Sequence, residues 1–232
     1  MWTFLLCFSC TVQTTNEQAS TETVPKENSS EAITPEAIVE FKPRIVILGD
    51  SLTAGLGLDV DSAYPALVER QLTDLGYPTE ILNAGQSGDT TAGGVQRVDW
   101  LLKQKPDLLI VELGANDGMR GIPLSEVEKN LNTIIDKSQE ANVSVFLMDM
   151  YIPTNFGKEY TDGFHNLFAT IATEQDITLL PFLLKDVAGK PTLNQADGIH
   201  PTAEGHQLMA DVVLNGIQDW RKGIDTKQQS SQ

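Results

Sequence analysis

The chain is poor in cysteine: it has two among 232 residues, Cys7 and Cys10, and both lie within the first ten. No disulfide framework or thiolate metal site can therefore form in the rest of the chain. The two cysteines have the spacing of a redox pair, but such a pair needs a folded strand-to-helix context that this short apolar stub does not provide. Histidine is also scarce, and no His-x-x-x-His pair occurs, which disfavours a metal centre. We expect chemistry that uses no metal ion and no cofactor.

Positive charge is the second scarcity. Sixteen Lys and Arg face 32 Asp and Glu, which gives a formal net charge of -16. Nucleic acids and anionic lipid surfaces attract Lys and Arg, so neither is expected as an electrostatic partner. The sequence also has no internal apolar run long enough to span a bilayer.

The N-terminus carries a short apolar stretch that ends at Cys10. It resembles the end of a bacterial lipoprotein signal, in which a small residue, here Ser9, precedes a cysteine that becomes lipidated. No Lys or Arg precedes the apolar run, and the run is short for such a signal; a start placed too far downstream would explain both. We predict lipidation at Cys10 and a location in the bacterial cell envelope or periplasm. The alternative is an apolar N-terminus without a role.

Composition divides the chain into four segments. Residues 1–10 form the signal remnant. Residues 11–40 are rich in Thr, Ser, Glu and Gln and contain no aromatic residue, so they cannot bury enough surface to offset the entropy of ordering. We predict a disordered linker over 11–41, a folded domain over 42–222 and a disordered tail over 223–232.

Short apolar runs alternate with amphipathic ones within the predicted domain. Strands are expected at 44–48, 79–83, 107–113, 144–149 and 177–180. Helices are expected around apolar faces within 66–75, 127–135, 164–171 and 208–217. Alternating strands and helices predict an α/β fold, a three-layer α/β/α sandwich with a five-stranded parallel sheet. Ligands bind such sheets beyond the carboxyl ends of the strands.

Ser51 follows the first predicted strand directly, within Gly-Asp-Ser-Leu. A short helix that begins there would point backbone N–H groups towards the serine and favour a developing negative charge. Taken alone, the motif is equally consistent with a serine that only caps a helix. The Gly-x-Ser-x-Gly elbow of the α/β-hydrolases is absent.

His200 is the histidine best placed to act on a serine. Pro201 keeps it out of a helix, whereas His165 and His206 lie within helical patterns, with His165 expected at solvent or at a cleft rim. Asp197 lies three residues before His200, so its carboxylate can orient the imidazole. A polar loop without catalytic duty is the alternative, which the presence of the serine motif disfavours.

Two further segments can supply hydrogen-bond donors to an oxyanion. Gly88 lies in a Gly-rich turn after the second strand, where its backbone N–H can approach a ligand. Asn116 follows the third strand and offers a side-chain amide. A flexible turn and a turn-capping Asn are the alternatives.

Together these four blocks resemble those of the SGNH or GDSL hydrolase family, most closely its bacterial thioesterase, lysophospholipase and arylesterase subgroup. The blocks are Gly49–Leu52, Ser87–Asp89, Gly114–Asp117 and Asp197–His200. The resemblance implies a flavodoxin-like fold with Ser51 as nucleophile, His200 as base and Asp197 as its orienting partner. It also implies an oxyanion hole formed by Ser51, Gly88 and Asn116.

The expected activity is that of a cofactor-free serine esterase, acting on carboxylic esters or thioesters through an acyl-enzyme. Ile152 and Phe156 follow the fourth strand and are expected in the acyl-binding wall, with an ordinary surface loop as the alternative. The family resemblance favours a monomer. The alternative functions are a carbohydrate acetylesterase on the same fold and a non-catalytic lipid- or glycan-binding surface lipoprotein.

Overall fold

The computed structural model describes the backbone of residues 42–229 and the side chains of residues 42–224. The predicted signal remnant, with Cys10, and the predicted linker lie outside the described residues. The last helix continues to Gln229, past residue 222, where the sequence predicted the end of the domain. None of the described helices combines the length and apolar character that crossing a bilayer requires.

Five parallel strands form one sheet in the order β2-β1-β3-β4-β5. This confirms the predicted sheet and its flavodoxin-like strand order. The strands are β1 Arg44–Gly49, β2 Glu80–Gly85, β3 Leu108–Glu112, β4 Ser144–Met148 and β5 Thr178–Leu180.

Seven α-helices accompany the strands in the described part of the chain, and three 3₁₀ turns lie in the loops. The helices are α1 Ser51–Ala54, α2 Tyr64–Asp74, α3 Thr91–Leu102, α4 Ala115–Met119, α5 Leu124–Glu140, α6 Lys158–Glu174 and α7 Ala203–Gln229. The turns are Val60–Ser62, Thr154–Phe156 and Pro191–Leu193.

The sheet separates two apolar cores because successive side chains of a strand point to opposite faces. In β1, Val46 and Leu48 pack in the core under α3, α5 and α6, whereas Ile45 and Ile47 pack in the core under α2 and α7. All four side chains are fully buried. Central strands that are apolar on both faces are typical of a covered parallel sheet.

The sequence analysis missed α3. Its first residues include Gly93 and Gly94, and glycine is unfavourable inside helices, so the sequence predicts a turn there. In the structure the Thr90 side chain caps the helix by accepting from the Gly93 N–H at 3.3 Å. Val98 and Leu101 of this helix are fully buried. Capping and tertiary packing therefore outweigh the low propensity of the glycine pair.

The strand order places a topological switch at β1. The chain leaves β1 for its neighbour on one side, β2, and then crosses to β3 on the other side. In open α/β sheets the crevice at such a switch, beyond the carboxyl ends of the strands, is where ligands bind. The segments that begin at Asp50, Gln86 and Leu113 all start at this edge.

His206 is a buried histidine that joins α7 to α2. Its Nδ1 accepts a hydrogen bond from the Tyr64 backbone N–H at 3.0 Å, and its ring stacks near that of Tyr64. It is 1% exposed, and burial lowers the pKa of His206 from 6.5 to about 4. The charged imidazolium is therefore disfavoured in the folded state.

Folding stability should consequently fall as the pH drops from 6.5 towards 4. In that range His206 binds a proton in the unfolded chain but not in the folded protein. Its contribution to the free energy of unfolding, about 3 kcal/mol, is therefore present above pH 6.5 and lost by about pH 4. We expect His206→Asn, whose amide oxygen can replace Nδ1 as acceptor, to lack this loss.

The measurement is urea unfolding of wild type and His206→Asn at pH 7 and pH 4.5. Other groups titrate in both proteins, so the difference between the two pH dependences isolates His206. If the free energy of unfolding changes equally between pH 7 and pH 4.5 in the two proteins, His206 is not buried as a neutral ring.

Candidate active site

Ser51, His200 and Asp197 form one hydrogen-bonded chain. The Ser51 Oγ lies 3.0 Å from the His200 Nε2, and the His200 Nδ1 lies 2.7 Å from the Asp197 Oδ2. When Nδ1–H donates to the carboxylate, Nε2 remains the acceptor for the serine hydroxyl. A hydroxyl, an imidazole and a carboxylate linked in this order can activate the hydroxyl as a nucleophile.

The carboxylate of Asp197 is held ionised by its hydrogen bonds. Oδ2 pairs with the imidazole of His200, and Oδ1 accepts from the backbone N–H groups of Ile199 and His200, both at 3.0 Å. The hydrogen bond to the His200 side chain lowers the pKa of Asp197 most, followed by those from the backbone N–H groups of His200 and Ile199. Together they lower this pKa to about 2. Asp197 therefore stays a hydrogen-bond acceptor at neutral pH.

His200 lies on a loop that is closed by hydrogen bonds, and Gln195 makes several of them. Asn194 and Pro201 form an antiparallel bridge, and the Gln195 N–H donates to the His200 carbonyl at 2.7 Å. The Gln195 side-chain amide donates to the carbonyls of Leu56 and Pro201, at 2.8 and 2.9 Å. Because Leu56 follows α1, this contact joins the His200 loop to the turn that carries Ser51. The sequence analysis did not single out Gln195, and a lone glutamine gives no signal.

The predicted oxyanion donors on Gly88 and Asn116 line the same cavity as Ser51 and His200. Gly88 has a φ of 79°, in the left-handed region that favours glycine, and its carbonyl accepts from Arg120 at 3.0 Å. Among the described residues, the backbone N–H groups of Ser51 and Gly88 donate to no protein group. Asn116 directs its amide at the Asp50 Oδ2, 2.9 Å away. Ser51, Gly88, Asn116 and His200 line one cavity.

Two buried carboxyl groups lie behind the serine turn. Asp50 accepts from the Leu52 N–H at 2.9 Å in addition to Asn116, and burial raises its pKa to about 6. Burial, followed by the charge of Asp50, raises the pKa of Glu112 well above its usual range. The Glu112 Oε2 accepts from the Thr53 hydroxyl at 2.8 Å and from the Asp50 N–H at 3.4 Å. These bonds hold α1 and the residue before Ser51 against the end of β3.

The cavity has a volume of about 500 Å³ and a largely apolar wall. Its apolar lining includes Leu56, Met119, Tyr151, Ile152, Phe182 and Ile199. Ile152 lines the cavity, whereas Phe156 is not among the residues that line it and is 36% exposed. Phe156 ends the Thr154–Phe156 turn, and of the two predicted wall residues only Ile152 lines the cavity.

His165 contacts a residue that lines this cavity. Its ring stacks on Tyr151 with the ring centroids 3.9 Å apart, and its Nδ1 lies 3.4 Å from the Asp149 Oδ1. Within the described residues, no three His, Cys, Asp or Glu side chains come together in a way that could hold a metal ion.

Comparison with known proteins gives one consistent family. The profile of the GDSL-like lipase/acylhydrolase family matches residues 47–208. An arylesterase of Vibrio mimicus is 37% identical over 182 residues, which cover 78% of this chain and 91% of the relative. Thioesterase 1/protease 1/lysophospholipase L1 of Escherichia coli K12 is 38% identical over 175 residues, which cover 75% of this chain and 83% of the relative.

A solved structure supports the same comparison at the level of the fold. The psychrotrophic esterase EstA of a Pseudoalteromonas species, in a form inhibited by monoethylphosphonate, superposes with a TM-score of 0.75 at 36% identity. The match covers 77% of this chain and 98% of EstA.

The hydrogen bond between Asn116 and Asp50 can be tested directly. Asn116 donates to the ionised carboxylate and so lowers the pKa of Asp50. We expect Asn116→Ala to raise this pKa above its value of about 6. The measurement is an NMR pH titration of ¹³C-labelled aspartate carboxyl carbons, with Asp50 assigned by the resonance that Asp50→Asn removes.

Asn130→Ala is the matched control because its amide donates to the Thr91 hydroxyl and not to Asp50. It should leave the Asp50 titration unchanged. A midpoint that is the same in wild type, Asn116→Ala and Asn130→Ala would contradict the contact.

Proposed function

Because the chain belongs to the GDSL-like lipase/acylhydrolase family and is an esterase, we propose that it cleaves carboxylic esters and thioesters through an acyl-enzyme on Ser51. The observation that carries the proposal is the hydrogen-bonded series Ser51–His200–Asp197 at an apolar cavity. A nucleophile beside an acyl-sized apolar cavity is suited to a substrate with a hydrophobic acyl group.

In the first half-reaction the Ser51 Oγ attacks the carbonyl carbon while its proton passes to the His200 Nε2, 3.0 Å away. The carbonyl π electrons move to oxygen, and the tetrahedral oxyanion accepts hydrogen bonds from the N–H groups of Ser51 and Gly88 and from the Asn116 amide. Collapse expels the alcohol or thiol, which takes the proton from His200. Ionised Asp197 stabilises the imidazolium throughout without accepting its proton.

In the second half-reaction His200 takes a proton from water, and the hydroxide attacks the acyl-enzyme. The tetrahedral intermediate uses the same three donors, and its collapse returns the proton to the Ser51 Oγ and releases the carboxylic acid. Donors that are already in place at the developing charge lower both barriers, by roughly 2.7–4 kcal/mol for each donor.

The substrate classes in the proposal are aryl esters, acyl-CoA thioesters and lysophospholipids. The Vibrio mimicus relative is named for aryl esters and the E. coli relative for thioesters and lysophospholipids. The apolar cavity of about 500 Å³ favours an extended acyl chain over the acetyl group of an acetylated sugar. This is the physical reason to place the carbohydrate acetylesterase second.

The proposal also includes the organisation of the whole chain. Lipidation at Cys10 would tether the catalytic domain to the bacterial cell envelope through a solvated linker over residues 11–41. Its support is the sequence of the first 40 residues and the bacterial origin of the relatives.

The decisive test is hydrolysis of p-nitrophenyl esters from acetyl to palmitoyl by wild type and Ser51→Ala. We expect Ser51→Ala to lose activity by a factor on the order of 10⁴ or more, since the nucleophile is gone. Ser125→Ala is the matched control: it makes the same substitution at an exposed serine of α5 and should retain wild-type rates. Folding of each variant is checked by circular dichroism. A folded Ser51→Ala with wild-type activity would remove Ser51 from the mechanism.

Chain-length preference tests the cavity wall. Ile152→Ala removes apolar wall surface, so the ratio of kcat/KM for octanoyl to acetyl esters should fall by about 3- to 30-fold. Phe156→Ala truncates a residue outside the cavity lining and should leave that ratio unchanged within about twofold. The reverse pattern would mean that Phe156, and not Ile152, contacts the acyl chain.

A further inference from the structure

Arg97 lies on α3, and its guanidinium bonds three different segments at the active-site edge of the sheet. Nε and Nη2 donate to the Asp89 Oδ2, at 3.0 and 2.5 Å. Nη1 donates to the Ala84 carbonyl at 2.9 Å, and Nη2 also reaches the Gly49 carbonyl at 3.4 Å. One side chain thus holds the end of β1, the end of β2 and the loop that follows β2.

Each acceptor adjoins a group that the proposed mechanism uses. Gly49 lies two residues before the nucleophile Ser51, and its carbonyl also accepts from the Gln86 N–H at 3.0 Å. Asp89 directly follows Gly88, whose N–H is a proposed oxyanion donor. The spacing between the Ser51 and Gly88 donors therefore depends on contacts that meet at the Arg97 guanidinium.

The Asp89 carboxylate is fitted into this position. Its side chain is 8% exposed, and its Oδ1 accepts from the Thr90 N–H at 3.0 Å. The same Oδ1 lies 1.8 Å from where a β-carbon at Gly93 would stand. Any other residue at 93 would push the carboxylate away, so the first turn of α3 is shaped to admit it.

Arginine suits this position better than lysine. Its planar fork can donate in several fixed directions at once, whereas the ammonium of lysine is a compact charge on a flexible stem. The three acceptors here lie on separate segments, so a single ammonium would not hold all of them.

A second arginine makes the same kind of contact at the opposite end of the same strands. Arg44 opens β1, and its Nε and Nη2 donate to the Glu80 Oε2 of β2 at 3.0 and 2.9 Å. It also bonds the Gln104 carbonyl. No residue that the mechanism uses adjoins these groups, so Arg44 provides an internal reference for a purely structural ion pair.

We propose that Arg97 is a positioning residue of the oxyanion hole, which sets the Gly88 N–H relative to Ser51 through Asp89 and the carbonyls of Ala84 and Gly49. It does not touch the substrate. The inference rests on the proposed acyl-enzyme mechanism, because it assigns Arg97 a task only if the Ser51 and Gly88 N–H groups receive the oxyanion.

The test compares Arg97→Met with Arg44→Met in the full chain, with p-nitrophenyl butyrate as substrate and thermal unfolding measured in parallel. Displaced donors weaken transition-state binding more than ground-state binding. We expect Arg97→Met to lower kcat by about 10- to 100-fold and to change KM by less than about threefold. Arg44→Met should keep kcat within about twofold of wild type, even if its Tm falls as much as that of Arg97→Met.

Two further variants keep the test decisive if Arg97→Met does not fold. Arg97→Lys retains the charge but not the fork, and should lose kcat to an intermediate degree. Gly93→Ala leaves Arg97 intact but displaces the Asp89 carboxylate, and should lower kcat without raising KM. A loss of kcat in these variants supports the inference.

The inference is overturned if folded Arg97 variants keep wild-type kcat, if they change only KM, or if Arg44→Met loses kcat equally. Ser51→Ala separates this failure from failure of the proposed function. If Ser51→Ala is inactive while the Arg97 variants are normal, only the positioning role is wrong. If Ser51→Ala is fully active, the acyl-enzyme mechanism itself is wrong.

Discussion

The site depends on the parallel, in-register pairing of β1 with both of its neighbours. Gly49, the last residue of β1, lies opposite Gly85 of β2 and Glu112 of β3. Three strands therefore end at the same level, and the segments that begin at Asp50, Gln86 and Leu113 leave the sheet side by side. The packing of β1 side chains in both cores fixes this register, because a slip of one residue would exchange every side chain between the cores and disturb the packing of both. The two apolar cores thus set the distances between polar groups that are far apart in sequence.

The serine turn is held by groups that are costly to bury. Asp50 and Glu112 are 2% and 0% exposed, and burial raises the pKa of both. A buried carboxyl group is tolerated when hydrogen bonds satisfy it. Asp50 receives them from Leu52 and Asn116, and the Glu112 Oε2 from Thr53, whereas the buried Glu112 Oε1 has no partner among the described residues. The bond from Leu52 is a local cap of α1, whereas the bonds of Asn116 and Thr53 join the serine turn to α4 and to the end of β3. We infer that the protein accepts lower stability here in exchange for a fixed geometry around Ser51.

The strands and the residues with the proposed chemical roles were predictable from sequence, whereas the residues that hold them were not. Ser51, Gly88, Asn116 and His200 each lie in a short local motif, and a strand's apolar run is also local. Arg97 and Gln195 carry no local signal, because their bonds to the Ala84 and Leu56 carbonyls reach other segments. The sequence does not predict α3, because its glycines favour a turn. The cap by Thr90 and the burial of Val98, which stabilise the helix, are visible only in the structure. Phe156 does not line the cavity, and the sequence could not indicate this because the path of a loop depends on tertiary contacts.

The two halves of the site are held by different means. Sheet pairing places Ser51, Gly88 and Asn116, whereas His200 and Asp197 come from a loop between β5 and α7 that forms no part of the sheet. That loop is held by its own bridge between Asn194 and Pro201 and by side-chain hydrogen bonds, of which the one from Gln195 to the Leu56 carbonyl reaches the segment after α1. The 3.0 Å contact between the His200 Nε2 and the Ser51 Oγ is thus set by hydrogen bonds on a loop. Loops open at lower free energy than packed strands. The position of His200 relative to Ser51 therefore depends on contacts within a loop, whereas Ser51, Gly88 and Asn116 lie on segments that directly follow strands of the sheet.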